Sequence, residues 1–245
     1  MSLNRRDFLG LVGGAAATAA LLPGLNLVEL AQARSPEEAA SSLQRWGLLI
    51  DVDQCVDGCI ACVDACFTEN GVWGHGRPET DAQWIRKIRI TDERNGRTQA
   101  LPVMCQHCEF PPCVDVCPTG ASFRRDDGIV LVDKHICIGC RYCMMACPYK
   151  ARSFIHEETY EQKAYAPRGI GTVESCTLCV HKVDRGDGIT ACSEACLRAG
   201  HQAILFGDLN DPDSEISKRL LVRPAKQIRA DLNLNTGVHY QGLMG

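Results

Sequence analysis

The chain has 245 residues, 45% hydrophobic and 23% charged, with a formal net charge of −4. A chain of this length buries its own core without covalent staples, and the weak acidic balance without a basic patch argues against nucleic acid as a partner. Cysteine stands out: the 16 residues are a smaller share than the ~8–10% of disulfide scaffolds, yet far too many for an ordinary domain.

The N-terminus reads S-L-N-R-R-D-F-L-G, with Arg5-Arg6 ahead of Phe8-Leu9 and a weakly apolar stretch to about Leu22. That pattern predicts a twin-arginine signal over residues 1–33, with Ala31-Gln32-Ala33 as the cleavage site before Arg34. An uncleaved membrane anchor is the alternative, disfavoured by the modest hydrophobicity. Cleavage leaves the net charge unchanged, since Arg5 and Arg6 balance Asp7 and Glu29. The expected mature protein, residues 34–245, is therefore periplasmic and exported folded, with any cofactor already inserted.

The cysteines fall into four blocks: Cys55, Cys59, Cys62, Cys66; Cys105, Cys108, Cys113, Cys117; Cys137, Cys140, Cys143, Cys147; and Cys176, Cys179, Cys192, Cys196. A short apolar strand precedes three of them: Leu48 to Asp51, Leu101 to Val103 and Val130 to Asp133. Each unit is expected to run from its last cysteine, on the first turn of a short helix, into a returning strand. Phe123 to Val132 reads as a hairpin turning at Asp127-Gly128. Two insertions break the repeat. The first, Glu69 to Gln99, predicts an irregular hairpin from Trp84-I-R-K-I-R-I through Asn95-Gly96 to Thr98–Val103; the second, His156 to Thr172, ends in P-R-G-I-G, which is no dinucleotide fingerprint. These insertions and the tail beyond Phe206 either dock partners or cover the cysteine core.

The third block, C-I-G-C-R-Y-C-M-M-A-C-P, follows the C-x-x-C-x-x-C-x-x-x-C-P run that holds cubane iron–sulfur clusters. A 4Fe-4S cube needs one soft thiolate per iron, and two-residue gaps let a loop wrap three of its corners. In two-cluster ferredoxins the fourth cysteine ligates the other cluster, so paired blocks should exchange their last ligands. Disulfides and zinc are weaker readings: the fourth block has zinc-like spacing, but the first three are too compressed. Covalent haem needs a histidine directly after C-x-x-C, and none stands there. His107 and His181 lie beside cysteines as candidates to tune a cluster, with a packing role the plainer reading. With no nucleophile, phosphate-binding or nicotinamide motif, the chain shows no catalytic site of its own.

The expected fold class is α+β, two bacterial ferredoxin-like domains with many loops. The inner domain, residues 105–149, carries the second and third blocks; the outer one, residues 34–104 and 150–245, carries the first and fourth.

Beyond the cysteines, C-Q-H-C-E-F-P-P-C-V-D-V-C-P-T-G-A-S-F, D-G-I-V-L-V-D and A-I-L-F-G-D-L-N-D-P-D-S resemble recurring phrases of the four-cluster electron-transfer subunits of molybdopterin oxidoreductase and NrfD-type membrane complexes. Within that family, the leader and the third block most resemble the subunits of complexes linked to dissimilatory sulfite reduction. The resemblance implies four 4Fe-4S clusters with these ligands: Cys55, Cys59, Cys62 with Cys196; Cys176, Cys179, Cys192 with Cys66; Cys105, Cys108, Cys113 with Cys147; and Cys137, Cys140, Cys143 with Cys117. It further implies a periplasmic wire between a quinone-interacting NrfD-like membrane subunit and a multihaem cytochrome c. The iron–sulfur subunit of a periplasmic nitrite, polysulfide, tetrathionate or thiosulfate reductase is the alternative, and a free polyferredoxin carrier a second. The chain departs from the family pattern in Cys55-V-D-G-Cys59, one residue longer than usual, and in lacking prolines after Cys66 and Cys196, which leaves room for an altered cluster in the outer pair.

Overall fold

Leu48, Leu49 and Ile50 form an unbroken apolar run, the pattern of a strand covered on both faces rather than one. In the computed structural model, which describes residues 39–244 other than Pro78, this run is the middle strand of a three-stranded sheet. The twin-arginine motif and the Ala31-Gln32-Ala33 site lie outside the described residues. The elements follow in order: β1 Trp46–Asp51, α1 Ala61–Asn70, β2 Ile85–Thr91, β3 Thr98–Met104, α2 Pro112–Asp115, β4 Ser122–Arg124, β5 Val130–Val132, α3 Tyr142–Ala146, β6 Ser153–Phe154, β7 Val173–Glu174, α4 Val180–Arg185, α5 Ala191–Arg198, β8 Ile204–Asp208, α6 Glu215–Val222 and β9 Val238–Gln241. The architecture is α+β: short helices and small sheets joined by many loops.

β1 pairs antiparallel with β8 and parallel with β9. Its core side chains pack with Phe206, Val238 and Tyr240, and Trp46 stacks on Phe206 at 5.2 Å between ring centroids. The sequence does not announce β9, whose V-H-Y-Q finds its partner nearly two hundred residues upstream; yet Val238 and Tyr240 are fully buried. That strand is therefore core. The rest of the tail lies along the second block, where Thr236 bridges Cys108 and Leu234 accepts from the Glu109 N–H.

β2 and β3 form the hairpin of the first insertion, and its register is regular rather than irregular: seven consecutive pairs run from Ile85–Met104 to Thr91–Thr98. Pro102 fits because, among the described residues, β3 has no partner strand on its other edge. β4 and β5 close the expected hairpin over Asp127-Gly128.

The cysteine loops share one backbone device. The residue before each second cysteine is left-handed: Gly58 (φ 81°), His107 (φ 44°), Gly139 (φ 68°) and Leu178 (φ 55°). In the first block the extra residue lies ahead of Gly58, so the turn into Cys59 is kept. The helices differ from expectation, because they begin at the third cysteine and not the fourth. Cys62, Cys113, Cys143 and Cys192 each sit in the first helical turn. Cys66 and Cys196 lie a turn further along the same helix, while Cys117 and Cys147 follow helices that have already ended. In the first three blocks the left-handed residue reverses the chain between the first two cysteines and lets a helix start soon after the second; in the fourth block α4 takes that place, and the helix of Cys192 starts afresh at its Thr190 cap. Pro118 and Pro148 then stop the inner helices, and turns rather than helices lead to β4 and β6.

Gly139 and Gly58 make a test. A Cβ on Gly139 would lie 2.0 Å from the Gly171 carbonyl oxygen, whereas one on Gly58 would meet nothing within 4 Å. Gly58→Ala should cost only the ~1–2 kcal/mol of a left-handed residue. Gly139→Ala should cost more and lose iron from the third block, as read by denaturant midpoints and iron content; equal effects would count against the clash.

Candidate metal centres

Folding regroups the thiols, taking three members of one block and the last member of another. Cys55, Cys59, Cys62 and Cys196 line one cavity. Cys66, Cys176, Cys179 and Cys192 line a second, and Cys117, Cys137, Cys140 and Cys143 a third. The remaining four, Cys105, Cys108, Cys113 and Cys147, are all buried and lie within electrostatic reach of one another.

The helices explain the regrouping. Cys62 and Cys66 stand one turn apart on α1, ~6 Å along the axis, so one faces the first cavity and the other the second. On α5, Cys192 and Cys196 do the same in the opposite sense, and α1 packs against α5. Each outer helix thus serves both cavities from one face, with one thiol at each level along its axis.

The groups follow one another in a row. Cys62 acts electrostatically on Cys192, Cys176 on Cys105, and Cys113 on Cys143, which links the first cavity to the second, the second to the all-buried group, and that group to the third cavity. Exposure follows the same order: Cys55 and Cys59 at one end and Cys117 and Cys137 at the other are half-buried, Cys140 is exposed, and in between only Cys176 is not buried.

Burial pushes the Cys62, Cys105 and Cys179 thiols up to about 12 and drives Cys66 well above its ordinary value. Such thiols stay protonated until a cation replaces the proton, which is the behaviour of iron ligands buried in protein. Donors point at the sulfurs: the Ser122 N–H reaches Cys117 Sγ at 3.3 Å, Leu178 N–H reaches Cys176 Sγ at 3.4 Å, and Ala191 N–H reaches Cys179 Sγ at 3.5 Å. Burial acts upward on Cys117 too, but the bonds from Ser122 and Thr119 prevail and draw it below the ordinary thiol value.

The donor set also fits a cluster. A single Zn²⁺ draws its sulfurs to ~2.3 Å, and no group of three or more His, Cys, Asp or Glu among the described residues converges in that way. The thiols surround cavities instead, lined by buried donors that have no protein acceptor. Trp84 Nε1 lies by the second cavity and Ser122 Oγ by the third. His107 is fully buried, and burial with the Arg152 charge lowers it to about 3, so it is neutral. Its Nδ1 accepts the Val130 N–H at 3.1 Å, which leaves the proton on an Nε2 without a partner. Sulfide and thiolate sulfurs are the acceptors such donors lack.

The insertions hold this arrangement in place. Alternation along β2 sends Lys87 and Arg89 to one face, where Lys87 Nζ reaches the Val56 carbonyl and, at 2.9 Å, that of Cys59, while Arg89 pairs with Asp57 at 2.5 Å. The lengthened first loop is therefore clamped. On the other face Arg86 donates to the Tyr149 and Lys150 carbonyls in the turn after Cys147. From the second insertion, Tyr165 stacks on His181 at 4.0 Å, and His181 bonds Glu69 at 2.7 Å, so His181 serves packing. Lys87, Trp84 and Arg152 were not legible as site residues, because nothing near them in sequence places them beside a cysteine of another block.

A family model described as a 4Fe-4S dicluster domain matches residues 97–208. The chain is 42% identical to the Hdr-like menaquinol oxidoreductase iron–sulfur subunit 1 of Archaeoglobus fulgidus, over 99% of each protein. It is 38% identical to a tetrathionate reductase subunit of Salmonella typhimurium, over 90% of this chain and 80% of that one, and 39% identical to protein NrfC of Escherichia coli, over 77% and 76%.

Proposed function

We propose that this chain, which belongs to the family of 4Fe-4S iron–sulfur electron-transfer subunits of membrane-associated oxidoreductase complexes, is a four-cluster relay with its two ends open to different partners. The observation that carries the reading is the row of four cysteine groups, buried in the middle and least buried at both ends. Bound 4Fe-4S clusters supply one-electron storage at potentials set by charge, hydrogen bonds to sulfur and burial. The chain's own contribution is to hold each set of thiols, to exclude water from the middle pair and to leave an entrance at each end. The proposed ligand sets are Cys55, Cys59, Cys62 and Cys196; Cys66, Cys176, Cys179 and Cys192; Cys105, Cys108, Cys113 and Cys147; Cys117, Cys137, Cys140 and Cys143, supported by the cavities that the first, second and fourth line and by the shared burial of the third. The four-residue spacing of Cys55 and Cys59 fits a full cubane there, since Lys87 holds the longer loop.

For the setting we propose a complex of the DsrMKJOP type, in which this subunit stands where DsrO does. It would be exported by the twin-arginine route and sit on the periplasmic face of an NrfD-like quinone-interacting protein, exchanging electrons with a multihaem cytochrome c. The similarity to a menaquinol oxidoreductase subunit supports it. No described helix is long and apolar enough to cross a membrane; the proposed attachment is through that partner. Similarity to the tetrathionate reductase subunit supports a second reading, in which the relay feeds a catalytic subunit. Gentle solubilisation and affinity capture decide between them. A membrane protein with a c-type cytochrome favours the first, a molybdopterin protein the second, and a chain that comes away alone counts against both.

A further inference from the structure

We propose that Arg152 is a permanent positive charge shared by the two cysteine groups of the inner domain, Cys105, Cys108, Cys113 with Cys147 and Cys137, Cys140, Cys143 with Cys117, called the inner groups below, and that it holds the reduction potentials of both their clusters up together; this rests on the four-cluster reading above. Arg152 lies in the turn between Cys147 and β6 and is 5% exposed. None of its guanidinium nitrogens meets an oxygen acceptor. The charges that bear on it most strongly are the thiols of Cys113, Cys105 and Cys143. Cys105 and Cys113 belong to the all-buried group and Cys143 to the third cavity, so the cation stands between the two.

A buried guanidinium without a carboxylate is costly and is retained only where other negative charge surrounds it. No carboxylate is among the groups that bear most strongly on Arg152, and Lys134 beside it is itself basic. Thiolates around an iron–sulfur core supply that charge. A guanidinium keeps its proton at every accessible pH, so it acts on the electron alone, with no proton entering or leaving. Each reduction adds one negative charge beside Arg152, which favours the reduced form. Because the charge lies between the groups, its loss must lower both potentials, whereas a residue serving one cluster would lower one.

The test is an EPR-monitored redox titration of the full chain, purified anaerobically with its clusters. In Arg152→Gln the two inner clusters should each become at least tenfold harder to reduce, about 59 mV for one electron, while the outer two stay in place. Arg152→Lys keeps the charge and should stay near the native values. Unchanged inner potentials in Arg152→Gln, equal shifts in all four clusters, or an Arg152→Lys shift as large as that of Arg152→Gln would each overturn the proposal. If Arg152→Gln loses its inner clusters, Arg152→Lys decides alone. Assembly with native potentials supports a charge, and failure to assemble shows a structural anchor instead. Native protein without inner 4Fe-4S signals would overturn the four-cluster reading itself, and this proposal with it.

Discussion

Replacing Cys147 by serine is expected to strip or alter the cluster held by Cys105, Cys108 and Cys113 and to leave the cluster of its own block in place. Cys147 is buried among the second-block thiols, and it is Cys117 that lines the cavity of Cys137, Cys140 and Cys143. The converse substitution, Cys117→Ser, should strike the third-block cluster. Native protein should carry about sixteen iron atoms for four cubanes, and each variant about twelve if the affected cluster is lost whole. EPR of the reduced protein tells which signal goes. If Cys147→Ser removes the third-block signal, the exchange of last ligands is wrong for the inner pair. The two variants also differ in a second respect. Cys147 is buried in the middle of the row, whereas Cys117 stands half-buried at its end, next to exposed Cys140. Loss at Cys147 should therefore interrupt electron passage between the ends, and loss at Cys117 should only close one entrance.

How much of this was readable beforehand follows the distance over which each feature is decided. The lead-in strands and both hairpins are local, set by a short apolar run and a turn pair such as Asn95-Gly96 or Asp127-Gly128, and they stand where the sequence places them. In the first three blocks helix starts were misplaced by one cysteine because they depend on the left-handed residue before the second cysteine. Glycine advertises that conformation at 58 and 139, but His107 and Leu178 adopt it unannounced. The tail strand β9 and the clamp from Lys87 join segments far apart in the chain, and no local pattern records which partner they find. Likewise Arg152 was visible only as a letter in K-A-R-S-F; its meaning comes from thiols of two other loops.

Glu174→Gln should be the most destabilising single change away from the cysteines. Arg168 meets Glu174 with two parallel bonds of 2.9 and 2.7 Å, and the side chains are 2% and 0% exposed. The remaining guanidinium nitrogen donates to the Gly71 carbonyl at 2.7 Å, where α1 ends. One buried pair thus joins the second insertion, the end of the first-block helix and the strand that leads, two residues on, to Cys176. Removing one partner of such a pair strands a buried charge and costs about 3–5 kcal/mol, measurable as a lowered denaturant midpoint. Replacing both, as in Arg168→Met with Glu174→Leu, removes the stranded charge and should recover most of that loss. The double variant separates stability from positioning. Since Cys176 and Cys66 line the same cavity and flank the two ends of this tie, iron lost from that group in a double variant of restored stability would mean that the pair sets the spacing of its thiols. Iron retained there would confine its role to holding the insertion against α1.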